Sequence, residues 1–92
     1  MNEQVLFLVD IVKKVDDRFV EVKVTHQDDS QDSLVVEKYG LQAIDGSAPQ
    51  QGWLKVEFSG ERDGLSSIEL PAPILNKGKR LSVKTERIKR ME

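Results

Sequence analysis

Several short stretches of this chain alternate apolar and polar residues, which is the pattern of a β-strand with one buried face. Residues 19–25 place three valines on one side of an extended chain and Glu21, Lys23 and Thr25 on the other. Residues 53–59 repeat the pattern, with apolar residues at every second position. Since no stretch of similar length has convincing helical spacing, the sequence predicts an all-β protein.

The first predicted strand, residues 4–15, differs because both of its faces are apolar. The two apolar sets are Val5, Phe7, Val9 and Ile11 on one face and Leu6, Leu8 and Val12 on the other. Asp10 interrupts the second set. Because a strand that is apolar on both faces is usually covered on both, we expect another segment or a partner to cover the second set.

Further strands are predicted over residues 33–39, 66–70 and 80–86, which brings the total to six short strands. A chain of 92 residues is the size of one domain. We therefore predict a single domain over residues 1–92, built as a small SH3-like barrel or a compact sandwich of mainly antiparallel strands. An OB-fold fits less well because no helix is found between its third and fourth strands. We find no internal repeat.

The C-terminal stretch has more than one interpretation. We expect residues 87–92 to form a basic tail. However, a last strand and a short helix with Leu81, Ile88 and Met91 on one face both remain open.

Strand register follows from keeping apolar residues on one face, because a slip of one residue reverses every side chain. An even-numbered loop around Asp16-Asp17-Arg18 pairs Ile11 with Val22. A three-residue loop, Arg62-Asp63-Gly64 with Gly64 left-handed, pairs Phe58 with Ile68. Gly40 is expected to form a bulge. The predicted core is Val9, Ile11, Val22, Val24, Leu34, Val36, Leu54, Val56, Phe58, Ile68 and Leu70.

Two polar segments rich in turn-forming residues, 26–32 and 45–52, are predicted to be exposed, mobile loops. In the first of them, Asp28, Ser30 and Asp32 have the spacing of a calcium-binding loop. However, Ser33 and Tyr39 replace the glycine and the glutamate that such a loop requires. We interpret the segment as a solvated acidic loop rather than a metal site.

The composition excludes several kinds of chemistry. The chain has no cysteine and one histidine, His26, so thiol catalysis, iron–sulfur clusters and histidine-rich metal sites are excluded. Its six glycines form neither a phosphate loop nor a dinucleotide motif. No serine lies in the context of a catalytic nucleophile. We therefore expect a protein that is not an enzyme and binds no cofactor.

The longest apolar run is Val5–Val9, far shorter than the roughly 20 residues that span a bilayer. Acidic and amide residues precede it where a signal peptide would have basic ones. We expect a cytoplasmic protein that does not cross a membrane.

The charges are distributed unevenly. The whole chain has a net charge of −2, but residues 77–92 contain seven basic and two acidic residues. Such a region can bind nucleic acid or fold back on the protein's own acidic surface. The candidate nucleic-acid contacts are Lys77, Lys79, Arg80, Lys84, Arg87, Lys89 and Arg90.

The candidate interaction surface consists of Leu6, Leu8, Val12, Tyr39 and Trp53. Both aromatic residues fall on the polar faces of their predicted strands, where they can stack on a ligand or cap an open barrel end. Two functional classes follow. The first is a non-catalytic protein-interaction module or accessory subunit, which binds a protein partner or forms a homodimer. The second is a small barrel that binds RNA or single-stranded DNA through its basic C-terminal region.

Overall fold

A computed structural model describes residues 3–43, 50–74 and 78–90 of the chain. The described residues form eight strands and two single-turn 3₁₀ helices. The strands are β1 (Glu3–Lys14), β2 (Phe19–Thr25), β3 (Gln31–Glu37), β4 (Leu41–Ala43), β5 (Gln50–Arg62), β6 (Leu65–Ile74), β7 (Gly78–Lys84) and β8 (Ile88–Arg90). The 3₁₀ turns, Lys38–Gly40 and Thr85–Arg87, precede β4 and β8.

All strand pairs are antiparallel and belong to one curled sheet with the order β3-β2-β1-β5-β6-β7. The short strands extend this path, since β4 pairs with β5 and β8 pairs with β1. The curl brings the turn after β2 to β7, where the Gln27 N–H donates to the Ser82 carbonyl at 3.1 Å. The prediction of a small all-β, barrel-like fold is confirmed.

The inner face of the sheet forms one apolar core. The buried cluster contains Val5, Phe7, Val9, Ile11, Val22, Val24, Leu34, Val36, Leu54, Val56, Ile68, Leu70, Ile74, Leu81 and Val83. Ten of the eleven predicted core residues belong to it; the eleventh, Phe58, is half-buried and packs against it. Leu6 is also buried, at 5 % exposure, although it lies on the opposite face of β1.

The first hairpin has the predicted pairing but not the predicted turn. Ile11 faces Val22 and Asp10 faces Lys23, as expected. Next to the turn, however, Lys14 faces Val20, which corresponds to an odd-numbered loop. A bulge between Ile11 and Lys13 then shifts the register by one residue and returns the apolar residues to the core face.

The second hairpin also combines a turn that differs from the predicted one with a bulge that restores the predicted pairing. Its turn has two residues, Asp63 and Gly64, both with positive φ (55° and 80°), rather than the predicted three. A bulge between Phe58 and Gly60 corrects the parity and sets Phe58 opposite Ile68. In both hairpins the turn was wrongly predicted, and the pairing is correct because the long strand carries one extra residue.

Three other predictions are corrected. Gly40 lies in a 3₁₀ turn instead of a bulge. Residues 50–52 of the predicted loop 45–52 belong to β5, while residues 45–49 lie outside the described residues. The expected C-terminal tail is strand β8 up to Arg90, and Ile88 packs on the core, which β8 joins by pairing with β1.

The fold also contains an internal repeat that we did not predict. Residues 3–43 and 50–90 are here called the first and second halves. Each half contains a long strand, a second strand that forms a hairpin with it, a third strand, a 3₁₀ turn and a short strand. A shift of 47 residues, the separation of Phe7 and Leu54, converts the pair Leu41↔Leu54 into the pair Ile88↔Phe7. The same shift converts the bulge between Ile11 and Lys13 into the bulge between Phe58 and Gly60.

The two 3₁₀ turns match in detail. The Lys38 N–H donates to the Arg18 carbonyl at 2.9 Å, and the Thr85 N–H donates to the Gly64 carbonyl at 3.0 Å. Phe7 and Leu54 are paired with each other in the β1–β5 ladder. An approximate two-fold axis therefore passes between Phe7 and Leu54 and relates the two halves.

Candidate protein-interaction surface

The outer face of β1 and β5 carries a compact group of side chains at the approximate two-fold axis. Leu6 pairs with Lys55 on β5 and with Lys89 on β8. Trp53 pairs with Leu8 on β1 and with Gln42 on β4. Directly opposite residues share a face of the sheet, so these two rows form one surface. We call it the axial patch: Leu6, Leu8, Gln42, Trp53, Lys55 and Lys89.

The apolar part of the axial patch is partly covered from within the chain. The Lys89 ammonium lies 4.5 Å from the centre of the Trp53 ring, a cation–π contact. Leu6 is buried, whereas Leu8 and Trp53 remain half-exposed. Lysine covers apolar surface with its methylene stem while its charge stays in water. The patch is therefore a tryptophan and a leucine open to solvent above a buried leucine.

The other two predicted interaction residues do not belong to the axial patch. Val12 is half-buried at the bulge of β1, two residues beyond Asp10. Tyr39 lies in the first 3₁₀ turn and is 78 % exposed, with the Lys38 ammonium 5.6 Å from its ring centre. The structure thus brings together Leu6, Leu8 and Trp53 and leaves Val12 and Tyr39 apart.

A groove adjoins the patch at Lys55, where β5 exchanges its neighbour β4 for β6. Its volume is about 310 Å³, its floor is formed by Val56 and Leu70, and Pro71 lies at its side. Lys55 and Lys79 line it together with Glu57 and Glu69. Within the described ranges, neither lysine forms an ion pair, whereas Glu69 lies 4.0 Å from Arg80. Among the described residues, Lys55 of the axial patch and Lys79 of the adjoining groove are therefore free cations.

Most basic residues of the C-terminal region are committed to other contacts. Lys84 pairs with Asp29 and Arg90 with Glu3, both at 2.9 Å. Arg80 lies near Glu69, and Lys89 lies over Trp53. Arg87 is half-buried in the second 3₁₀ turn, Lys79 is exposed, and Lys77 lies outside the described residues. Four of the seven candidate cations thus already contact carboxylates or Trp53 of the protein itself.

The turn after β2 contains several polar contacts. His26 contacts Asp32, the His26 N–H donates to the Ser30 carbonyl at 2.8 Å, and Asp29 binds Lys84. The Ser30 hydroxyl and N–H both donate to the Asp28 carboxylate, which lowers the pKa of Asp28 from its ordinary value. These contacts connect residues within the turn, and the Asp29–Lys84 pair connects the turn to β7.

No protein-family model, curated protein or solved structure matched this chain. Its class is therefore defined by its own fold and surface: a small all-β barrel of two similar halves, with an aromatic and apolar patch at their axis. Within the described ranges, no helix is long and apolar enough to cross a membrane.

Proposed function

We propose that this protein is a non-catalytic interaction module whose axial patch binds a protein segment with an apolar side chain flanked by acidic residues. One observation carries the proposal: Leu8 and Trp53 are half-exposed on the outer face of the sheet, beside Lys55 and Lys89. Tryptophan is enriched among the residues that dominate binding energy at interfaces. The neighbouring lysines favour a partner of opposite charge.

The position of the patch on paired strands also supports a protein partner. The rows Leu6–Lys55 and Leu8–Trp53 lie on adjacent paired strands, so the patch is held by backbone hydrogen bonds rather than by loops. A preformed surface loses little entropy on binding. As part of the same proposal, we place the module in the cytoplasm, in keeping with a sequence free of cysteine.

The alternative, binding of RNA or single-stranded DNA through the C-terminal region, has weaker support. Lys84 and Arg90 are paired with the protein's own carboxylates, and phosphate contacts would have to replace these pairs. A nucleic-acid complex of this kind would also weaken steeply as salt increases.

A random peptide library displayed on phage and selected on the immobilised protein tests the proposal. We expect enrichment of peptides that combine an apolar or aromatic residue with acidic neighbours. Because Trp53 is the only tryptophan, its fluorescence reports binding of a selected tryptophan-free peptide at the patch. Trp53→Ala, with binding measured by calorimetry, should weaken the affinity at least tenfold, which corresponds to about 1.4 kcal/mol.

Leu8→Glu should also abolish binding, while Val35→Glu serves as the matched control. Val35 is an exposed apolar residue on the outer face of β3, away from the patch. Selected peptides that bind wild type and Leu8→Glu equally would refute the assigned surface. A dimer in light scattering that Leu8→Glu dissociates would identify a second copy as the occupant. Salt-sensitive binding of an oligonucleotide without peptide binding would favour the alternative.

A further inference from the structure

We propose that the first and second halves can be exchanged between two copies of the chain, so that the protein forms a dimer in which each barrel combines halves of different chains. This proposal concerns a second assembled form of the protein and does not depend on the axial patch binding a partner. It rests on the strand pairing between the two halves.

Neither half completes its own sheet. Strand β5 pairs with one edge of β1, from Glu3↔Phe58 to Ile11↔Gln50. Each short strand pairs with the long strand of the other half: β4 with β5 and β8 with β1. The core is shared in the same way, since Phe7 and Leu54 are paired at the axis and both are fully buried. Each half therefore requires a complementary half.

The complementary half need not belong to the same chain. The halves are joined covalently through residues 44–49. The other contacts between them are non-covalent: strand pairing, side-chain packing, the Gln27–Ser82 hydrogen bond and the ion pairs Lys84–Asp29 and Arg90–Glu3. A second copy offers identical surfaces. A short connection gives the intramolecular partner an effective concentration in the millimolar range. The closed monomer therefore dominates in dilute solution, and exchange requires the halves to separate.

The register of β4 against β5 indicates which deletion should force the halves of two chains to exchange. Strand β4 faces β5 with Leu41↔Leu54, Gln42↔Trp53 and Ala43↔Gly52. If residues 44–49 are deleted, Ala43 joins Gln50 directly and no chain remains to form a turn. The fused segment 41–43/50–54 can then pair antiparallel with the same segment of a second chain. That pairing keeps all three observed pairs and adds Gln50 opposite Gln51. The observed ladder is thus preserved in a dimer and cannot form within one shortened chain.

Deletion of residues 44–49 in the full chain is the direct test. Light scattering with size-exclusion chromatography should give twice the monomer mass, and amide exchange should retain the protection of β1 and β5. Replacement of residues 44–49 by six glycine and serine residues is the matched control and should remain monomeric. A compact monomer for the deletion variant would overturn the proposal.

A second experiment decides the matter if the deletion variant does not fold. Val22→Asp and Ile68→Asp place a charge at equivalent buried positions of the first and second halves, and each variant alone should be unfolded. When the two denatured chains are mixed and refolded at high concentration, the intact first half of one can join the intact second half of the other. Dimers with about half the native amide protection are expected in the mixture only. If the mixture shows no more protection than the separate variants, the halves are not exchangeable.

Discussion

Gly52 is buried and closely packed, and its replacement by alanine gives a quantitative test of the packing between the halves. A Cβ built on Gly52 would lie 2.8 Å from the Cδ1 atom of Ile11 and 3.0 Å from the Gln42 carbonyl oxygen. The first contact is with a buried side chain of β1 and the second with the backbone of β4. Any side chain at this position therefore pushes against both neighbours of β5.

The magnitude follows from the two contacts. Carbon atoms at optimal separation are about 3.5–4.0 Å apart, so Ile11 must move by close to 1 Å or change rotamer within a filled core. Overpacking of this kind costs about 1–3 kcal/mol. A chain of 92 residues has a stability of roughly 5–14 kcal/mol. We expect Gly52→Ala to lower the free energy of unfolding by about 2 kcal/mol and to leave the fold intact.

Urea unfolding of a double-mutant cycle with Ile11→Val identifies the cause. Ile11→Val removes the Cδ1 atom and should cost about 0.5–1.5 kcal/mol alone. Together the two changes should cost less than their sum by at least about 0.5 kcal/mol, because the first clash is gone. Strictly additive losses would show that Ile11 does not obstruct the alanine. A Gly52→Ala protein as stable as the wild type would refute the close approach itself.

Three further predictions concern the core, the first turn and the last strand. Phe7→Ala should cost about 3–5 kcal/mol in urea unfolding, more than Phe58→Ala, because Phe7 is fully buried and Phe58 is half-buried; the reverse order would contradict the packing. The Arg18 and Phe19 N–H groups hold the pKa of Asp16 below its ordinary value of 3.8, so its contribution to stability is present above about pH 4 and is lost as pH falls through the lowered pKa. Asp16→Asn should thus reduce the loss of stability between neutral pH and about pH 2, and an unchanged loss would contradict this reasoning. Removal of residues 88–92 should cost about 2–5 kcal/mol in thermal or urea unfolding, because it removes the Ile88 contact with the core and the β8–β1 ladder, whereas an unaffected protein would restore the tail interpretation.

The strand pairing could be predicted from the sequence because burial selects it. Ile11 faces Val22 and Phe58 faces Ile68 since only these registers place apolar residues together. The turns could not be predicted by the same argument. A bulge allows either loop parity to reach the same register, and nothing in the local sequence marks the bulged residues Val12 and Ser59. Loop length and strand register are therefore independent in this fold, because the long strand can carry one extra residue in a bulge.

The candidate surface was predictable in part. Period-two spacing placed Leu6, Leu8 and Trp53 on outward faces, and the β1–β5 register brings them together. Lys55 shares the outward face of Trp53 by the same spacing, but Lys89 was missed as a member of the patch because its proximity depends on the antiparallel pairing of β8 with β1. The basic C-terminal region showed its charge in the sequence but not its partners, since Asp29 and Glu3 are distant in sequence from Lys84 and Arg90.

The internal repeat could not be predicted from the sequence, because the equivalent core positions require only apolar residues of suitable size. Val9 and Val56 are identical equivalents, as are Leu34 and Leu81, but neighbouring positions differ freely. Gln4 with Gln51, Asp16 with Asp63 and Val36 with Val83 are the other identical pairs at the 47-residue shift, and five shared residues in about forty do not stand out from a β-rich background. The repeat becomes visible in features the sequence does not encode locally: the placement of the bulges and the crossed pairing of β4 and β8.

Comparison of the halves also bears on the axial patch. The patch is the outer surface that both halves form together at their axis, so two identical halves would present a symmetric surface there. Its six residues form three equivalent pairs, and none is matched: Leu6 with Trp53, Leu8 with Lys55, and Gln42 with Lys89. The fold does not require these differences, because the long and short strands of both halves pair in the same way and the patch lies outside the core. The differences place both lysines and the tryptophan in the second half and the two leucines in the first. Lys89 and Lys55 flank Leu6 in one row of the patch, whereas Leu8 and Gln42 flank Trp53 in the other. A ligand bound across this axis would therefore meet a cationic row and an aromatic, apolar row, which favours an asymmetric partner, held in one orientation, over a symmetric one.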